Sequence, residues 1–253
     1  MRRFTVASDR IRAGHVAFDR DETHHLARVL RLGAGELVVV ADGDGHEYTV
    51  RLEAVGETAT GTVVREGVSA VESPLAVTLV QGIPKGDKME YIVRAATELG
   101  LRGVQPVITA RTVVRLELSR WRERARRWQR VAKEAAKQSG RAVVPEVHAP
   151  QPLADWLATA AATEAHTLRL CLWEGEARPL GAVVGGAATP TAVELLVGPE
   201  GGLAREEVDA ARERGFVAVG LGPRILRCET AGPAAVAILQ FRFGDLAARA
   251  PVP

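Results

Sequence analysis

Two glycine-bearing segments late in the chain hold the residue types best suited to gripping a small molecule. They are Gly198-Pro-Glu-Gly-Gly202 and Gly222-Pro-Arg-Ile-Leu-Arg-Cys-Glu-Thr230. Glycine lets backbone groups approach a ligand with no Cβ in the way, and Pro199 stiffens the first segment. By itself the first segment suits a strand-to-helix turn as well as it suits a ligand loop. The second is sharper, because Arg224, Arg227, Glu229 and Thr230 interrupt an otherwise apolar region. A phosphate-binding Gly-Lys-Ser/Thr signature is missing, as are Gly-x-Gly-x-x-Gly, Gly-x-Ser-x-Gly and His-Glu-x-x-His, so P-loop, Rossmann, serine-hydrolase and zinc-protease chemistry find no support. His24 and His25 have no carboxylate or histidine partner at metal-ligand spacing, and Cys171 and Cys228 stand far apart. No metal site and no disulfide framework is expected.

The elements around these segments predict where they sit. Leu168–Trp173 reads as a strand running into Glu174-Gly175, Val193–Val197 as one running into Gly198–Gly202, and Val217–Leu221 as one running into Gly222–Thr230. Parallel strands would bring all three loops to the carboxyl edge of a sheet, where open α/β folds hold ligands. Upstream lie a strand over Ala76–Gln81, a helix over about Asp87–Leu99 closed by Gly100, and a strand over Val104–Ile108. Helices are expected at Ala204–Arg214 and about Gly232–Phe241, the latter with Thr230 as a possible cap and Pro233 in its first turn. Its face of Ala231, Ala235, Ile238 and Leu239 suits either core packing or a subunit contact. Strands alternating with helices indicate a mostly parallel α/β sheet.

Residues before about 68 follow a different pattern. Glu36–Ala41 and His46–Leu52 read as strands joined by the turn Asp42-Gly-Asp-Gly45, and Gly61–Val64 as another. One helix interrupts them over Thr23–Leu32, with Leu26, Val29 and Leu30 at helical spacing and Arg28 and Arg31 off that stripe. Val68–Pro74 lacks periodicity and marks a boundary, which divides the chain into 1–70 and 75–247.

Charge is unevenly spread. Net charge is only +2, yet residues 81–141 carry 15 basic and 6 acidic side chains, against 9 and 11 in residues 1–68. Much of the surplus lies on a long helix expected from Ser119, as N-cap, to Gly140. That helix has an apolar stripe at Trp121, Ala125, Trp128, Val131, Ala132 and Ala135. Its arginines and lysines suit phosphate contacts and equally a solvated face. The chain contains 47% hydrophobic and 25% charged residues, ordinary for a globular protein. No apolar run approaches the roughly 18–20 residues of a membrane span, and a cytoplasmic protein with no membrane partner is expected.

Several segments together resemble a known family. Gly82-Ile-Pro-Lys-Gly-Asp-Lys-Met-Glu90, Glu98-Leu-Gly100, Gln138-Ser-Gly-Arg141, Gly198–Gly202 and Leu221–Ala231 follow in the order seen in the RsmE family, the small-subunit (16S) rRNA uridine-N3 methyltransferases of the SPOUT superfamily. His24–Leu32 is also similar. The resemblance implies a PUA-like RNA-binding β-barrel over 1–70 and a SPOUT α/β methyltransferase domain over 75–247 with a C-terminal trefoil knot, an exception to the rule that chains avoid knots. It implies S-adenosylmethionine as cofactor, a homodimer, and 16S rRNA in the assembled small subunit as partner. The cofactor site would draw on Gly198, Pro199, Glu200, Gly201, Gly222 and Thr230, with Leu196, Leu221, Ile225 and Leu226 as apolar walls. Arg227, then Arg224, are candidates to stabilise charge on the pyrimidine, and Glu229 is a candidate base or a partner orienting an arginine. Cys228 has no assigned role. Arg28, Arg31, Lys85, Lys88, Arg111 and Arg141 are candidate RNA contacts. A ribose 2′-O-methyltransferase acting on another RNA and a non-catalytic RNA-binding or ribosome-assembly factor are the competing readings.

Overall fold

Alternating buried and exposed side chains in the first 70 residues give mostly antiparallel strands, Arg2–Thr5 beside Leu37–Ala41 being the parallel pair, whereas nearly continuous apolar runs after residue 75 give parallel ones. A computed structural model describes residues 1–114, 116–159 and 166–247. It divides into two units, one of Met1–Glu72 with Lys133–Val144 and one of Ser73–Ala132 with the described part of Pro145–Pro253.

The first unit holds strands β1 (Arg2–Thr5), β2 (Ile11–Arg12), β3 (His15–Ala17), β4 (Leu37–Ala41), β5 (His46–Ala54) and β6 (Thr60–Val68). They form one six-stranded sheet in the order β1-β4-β5-β6-β3-β2. The expected hairpin is β4–β5, and its turn uses Gly43 and Gly45 at φ 87° and 115°. Phe4, Phe18, Leu26, Val38, Val50 and Leu52 fill the core. Helix α1 (Arg20–His24) starts earlier than expected, because the Asp19 carboxylate accepts from the Glu22 N–H at 2.8 Å and caps it. It continues as a π-helical turn over His25–Val29, with the Leu30 N–H bonded to the His25 carbonyl. The wider turn rotates the stripe predicted from 3.6-residue spacing. Leu26 is buried as expected, but Val29 points outward and is 62% exposed.

The second unit is built on β7 (Ala76–Gly82), β8 (Gly103–Ile108), β9 (Glu146–Val147), β10 (Gln151–Pro152), β11 (Thr167–Leu172), β12 (Arg178–Pro179), β13 (Ala192–Val197) and β14 (Val217–Gly220). All pair in parallel, in the order β10-β8-β7-β13-β11-β14-β12, with β9 beside β8. Its helices are α2 (Lys88–Glu98), α4 (Leu153–Thr159), α5 (Leu180–Gly186), α6 (Arg205–Glu213) and α7 (Cys228–Phe243). Helix α3 (Leu118–Ser139) contributes residues to both units. Val80, Cys171, Leu196 and Ala218 pack with Leu153 and Leu157 of α4 and Val208 and Ala211 of α6. On β14, Trp173 N–H donates to the Val219 carbonyl at 3.1 Å, so the short link Trp173–Ala177 carries the chain from β11, on one side of β14, to β12, on the other. This insertion is consistent with the expected C-terminal knot.

Two helix starts differ from expectation. In α3 the Glu117 carbonyl accepts from Arg120 and Trp121, so Ser119 lies inside the helix; Gly140, at φ 81°, ends it as expected. In α7 the Arg227 carbonyl accepts from Thr230 and Ala231, both at 2.8 Å. Thr230 is therefore a first-turn residue and not the cap, and Pro233 is internal.

Close packing holds the Gly198–Gly202 loop on the end of β7. A Cβ on Gly82 would lie 2.6 Å from Pro199 Cδ and 2.8 Å from its nitrogen, and backbone cannot step aside as a side chain does. Gly82→Ala should lower the unfolding free energy in urea by about 1–3 kcal/mol, the range for overpacking a tight site. Gly67→Ala, where a Cβ meets nothing within 4 Å, should change it by no more than about 0.5 kcal/mol. Equal effects would show that the loop yields.

Candidate active site

Because β13, β11 and β14 are adjacent and parallel, their carboxyl ends deliver three loops to one edge. There the loops enclose a cavity of about 750 Å³, within the roughly 300–1,000 Å³ typical of small-molecule sites. One wall is Leu172–Gly175, a second runs from Val197 to Glu200 with Gly202 and Leu203, and the third runs from Val219 to Glu229. Lys88, at the start of α2, completes the rim.

Most of the expected cofactor residues meet here. Gly198, Pro199, Glu200, Leu221, Gly222, Ile225 and Leu226 line the cavity, as do Arg224, Arg227 and Glu229. Ile225 is 84% exposed at the rim. Three do not line it. Leu196 points into the core beside Val80 and Cys171, because strand alternation turns it away and leaves its neighbour Val197 at the cavity. Gly201 packs against Arg111, and Thr230 is exposed on α7. Trp173, Glu174 and Gly175 also line the cavity; the parallel-strand pattern brings their loop to the ligand edge, but neither it nor the family resemblance singles them out as cofactor contacts.

The surroundings of the Gly222 segment fit a flat heteroaromatic ligand. A Cβ on Gly220 or Gly222 would meet nothing within 4 Å, so ligand atoms can lie against the backbone. Among the described residues, no backbone–backbone hydrogen bond engages Gly222–Leu226, which leaves donors and acceptors for a purine edge. Leu172, Val197, Val219 and Leu226 supply apolar contact. This combination suits S-adenosylmethionine. Among the described residues no group of three or more His, Cys, Asp or Glu is placed to hold a metal ion.

Charge at the rim is organised by Lys88. Its ammonium lies 3.0 Å from Glu200 Oε1 and 3.3 Å from Glu229 Oε2. Glu200 also accepts from the Lys85 backbone N–H at 3.0 Å. Glu229 sits in the first turn of α7, where its own backbone N–H, followed by Cys228 and Lys88, holds its carboxyl below the usual range in spite of burial. Burial pushes the Glu200 carboxyl up, but its backbone N–H, Lys88 and the Lys85 N–H outweigh it and leave it lowered. The hydrogen bond to Glu200, aided by Glu229, raises Lys88. Burial and the bond to Glu229 push the Cys228 thiol up to about 12, so it stays protonated, donates to Glu229 Oε2 at 3.2 Å and is no nucleophile. Arg227 Nη1 lies 3.9 Å from Glu229 Oε1, beyond hydrogen-bond reach, with its side chain 82% exposed.

Of the expected RNA contacts, Arg28, Arg31 and Lys85 are exposed. Lys88 belongs instead to the cavity rim. Arg111 is exposed and donates to the Gly201 carbonyl at 2.5 Å, bracing that loop. Arg141 is a correction. It is only 5% exposed and pairs with Glu72 at 2.8 Å, while Glu72 also accepts from the Ala142 and Val143 N–H groups. Loop position had marked it as accessible, but its charge is spent inside the first unit. On α3, Arg120, Arg122, Arg126 and Arg130 are exposed, whereas Arg127 is bound to Glu90 at 2.7 Å.

Comparison with known proteins places these features in context. A family model described as an RNA methyltransferase domain matches residues 71–240, and an RNA methyltransferase PUA domain matches residues 18–59. The chain is 38% identical over 237 residues to the ribosomal RNA small subunit methyltransferase E of Synechocystis, covering 93% of this chain and 76% of the relative. It is 34% identical over 230 residues to the Bacillus subtilis protein of the same name, covering 88% of each. A crystal structure of ribosomal RNA small subunit methyltransferase E from Neisseria gonorrhoeae, bound to S-adenosyl methionine, superposes with a TM-score of 0.86 at 35% identity, covering 97% of this chain and 99% of that one.

The Lys88 cluster has a defined pH range. Carboxyls lowered from 4.5 contribute stability above that value and lose it as pH falls through their folded values; a lysine raised from 10.5 contributes below that value and loses it as pH rises through its folded value. The cluster should stay charged across the whole interval between them. Carbon-13 NMR titration of the Glu200 and Glu229 carboxyls should give midpoints below 4.5. A midpoint above 4.5 for either would show that Lys88 does not hold it.

Proposed function

The chain belongs to the RNA methyltransferase family whose model covers its residues 71–240, and we propose that it transfers a methyl group from S-adenosylmethionine to N3 of a uridine in 16S rRNA of the small ribosomal subunit. The observation that carries this reading is the cavity at the carboxyl edge of β11, β13 and β14, walled by both glycine loops and rimmed by Arg224, Arg227 and Glu229. The relatives named for small-subunit ribosomal RNA support the RNA class. The resemblance of Leu221–Ala231 to the uridine-N3 family supports the base and the atom.

Bound in the cavity, S-adenosylmethionine supplies an electrophilic sulfonium methyl group. The protein's part is to align that methyl with the uracil nitrogen, and such positioning supplies much of the rate. In the transfer, N3 gives up its proton to solvent, its electron pair forms the N–CH₃ bond, and the S–CH₃ pair returns to sulfur. Negative charge on the deprotonated imide spreads to the two ring oxygens. Arg227, exposed at the cavity mouth, meets that charge, with Arg224 beside it. The hydrogen bonds that lower the Glu229 carboxyl weaken it as a base and favour a role in holding charge at the rim. Lys85, Arg28, Arg31 and the free arginines of α3 supply phosphate contacts that position the RNA without reading sequence.

The homodimer belongs to this reading. Tyr91 on α2 and Ile238 and Phe241 on α7 are exposed apolar side chains on two helices that pack together, and they suit a self-complementary contact. Among the described residues no helix is long and apolar enough to cross a membrane. A cytoplasmic location belongs to the same reading.

Small subunits from a strain lacking the enzyme, incubated with the protein and S-adenosylmethionine and digested to nucleosides, should yield 3-methyluridine; a 2′-O-methyl nucleoside instead would overturn the N3 assignment. Arg227→Ala should abolish transfer while calorimetry shows cofactor binding largely spared, and unchanged turnover would remove Arg227 from the mechanism. Gly220→Val, whose side chain enters open space, should abolish cofactor uptake with the thermal unfolding midpoint kept. Undiminished binding would place the cofactor elsewhere.

A further inference from the structure

Lys88 occupies a position that its own helix does not explain. It is the first residue of α2, where the helix dipole disfavours a cation. Met89, Ile92, Val93 and Ala96 anchor α2 through its buried face, so packing fixes the helix without Lys88. What holds the ammonium is the pair Glu200, on a loop 112 residues further along the chain, and Glu229, in the first turn of α7 141 residues further along.

The two oxygens of Glu229 are used unequally. Oε2 receives Lys88 at 3.3 Å and the Cys228 thiol at 3.2 Å. Oε1 faces Arg227, two residues earlier in the chain, across 3.9 Å. Carboxylate and guanidinium form strong two-point pairs when nothing competes. Here Lys88 competes, and Arg227 is left in a long, single-point ion pair outside hydrogen-bond reach. We propose that Lys88 is a positioning residue for methyl transfer: by occupying Glu229 it keeps the Arg227 guanidinium free to meet the charge that develops on the pyrimidine. This inference rests on the role given to Arg227 above. Without Lys88, Glu229 closes on Arg227 and neutralises the cation that the reaction needs.

Loss of Lys88 should therefore be repaired by also removing the charge of Glu229, which a bracing role would not allow. Turnover on small subunits is measured for Lys88→Met, Lys88→Arg, Glu229→Gln, the double variant Lys88→Met/Glu229→Gln and Arg227→Ala, with calorimetry for S-adenosylmethionine and thermal melting for each. Lys88→Met should lower kcat by on the order of 10-fold or more, the scale of a lost hydrogen bond to a charged group, while cofactor Kd holds. The double variant should recover most of that loss, and Lys88→Arg should retain most of the activity. If Lys88→Met melts early, Lys88→Gln takes its place, since it keeps an amide donor on a similar stem. A double variant as slow as Lys88→Met, or a Lys88→Met defect confined to cofactor Kd, overturns the proposal. Arg227→Ala separates the two claims. If it is inactive while suppression fails, only the Lys88 inference falls; if it is fully active, the role of Arg227 falls and this inference with it.

Discussion

The insertion of β14 between β11 and β12 is the constraint on which the rest of the second unit depends. Those two strands are joined only by Trp173–Ala177, and β14, from late in the chain, pairs with both. With β14 in that slot, its continuation Leu221–Arg227 emerges beside Glu174-Gly175 and next to the loop that follows β13. In this order the three loops stand side by side at one edge. The cavity is thus a product of topology: strands distant in sequence, β11, β13 and β14, supply its three walls.

Packing then makes the edge rigid. Glycine at position 82 allows Pro199 to lie directly on β7. The buried Gln81 side-chain amide donates to the Gly198 carbonyl at 3.3 Å. Arg111 holds the other end of that loop through Gly201, and a Cβ at Gly198 would strike the Gly202 and Leu203 backbone. The Gly222 segment is built differently. It presents backbone groups with no backbone partners among the described residues, open space over Gly220 and Gly222, and an exposed isoleucine. One wall is braced by the protein itself while the other offers its bonding capacity to a ligand, a division suited to a site that must fix a reactive group in one orientation.

The rim divides its charges in a similar way. Two carboxylates share the Lys88 ammonium, and a protonated thiol adds a donor to one of them. The arginines beside them remain extended toward solvent. A cation committed to a carboxylate is of little use to a substrate that becomes anionic, and under the proposed mechanism the long 3.9 Å approach of Arg227 to Glu229 leaves its guanidinium available at the mouth of the cavity.

Much of this was legible in the residues. Parallel strands announced themselves as apolar runs ending in glycine. The Asp42–Gly45 turn and the stops at Gly100 and Gly140 follow from the left-handed backbone that only glycine adopts easily. Composition marked the Gly222–Thr230 segment, where two arginines and a glutamate interrupt an apolar region, whereas Gly198–Gly202 by itself suits a plain turn equally well. Tertiary structure decided what each charge does. Lys88 and Arg141 look alike in sequence, as cations near loops, yet one joins the cavity rim through partners 112 and 141 positions away and the other is buried on Glu72, 69 positions back. Val29 turned outward because a π-helical turn reset a phase that spacing assumed to be 3.6. Local pattern reports the burial rhythm of an element, since neighbours along the chain set it. Which carboxylate neutralises which cation depends on strand order, and no stretch of sequence short enough to read as a motif contains that.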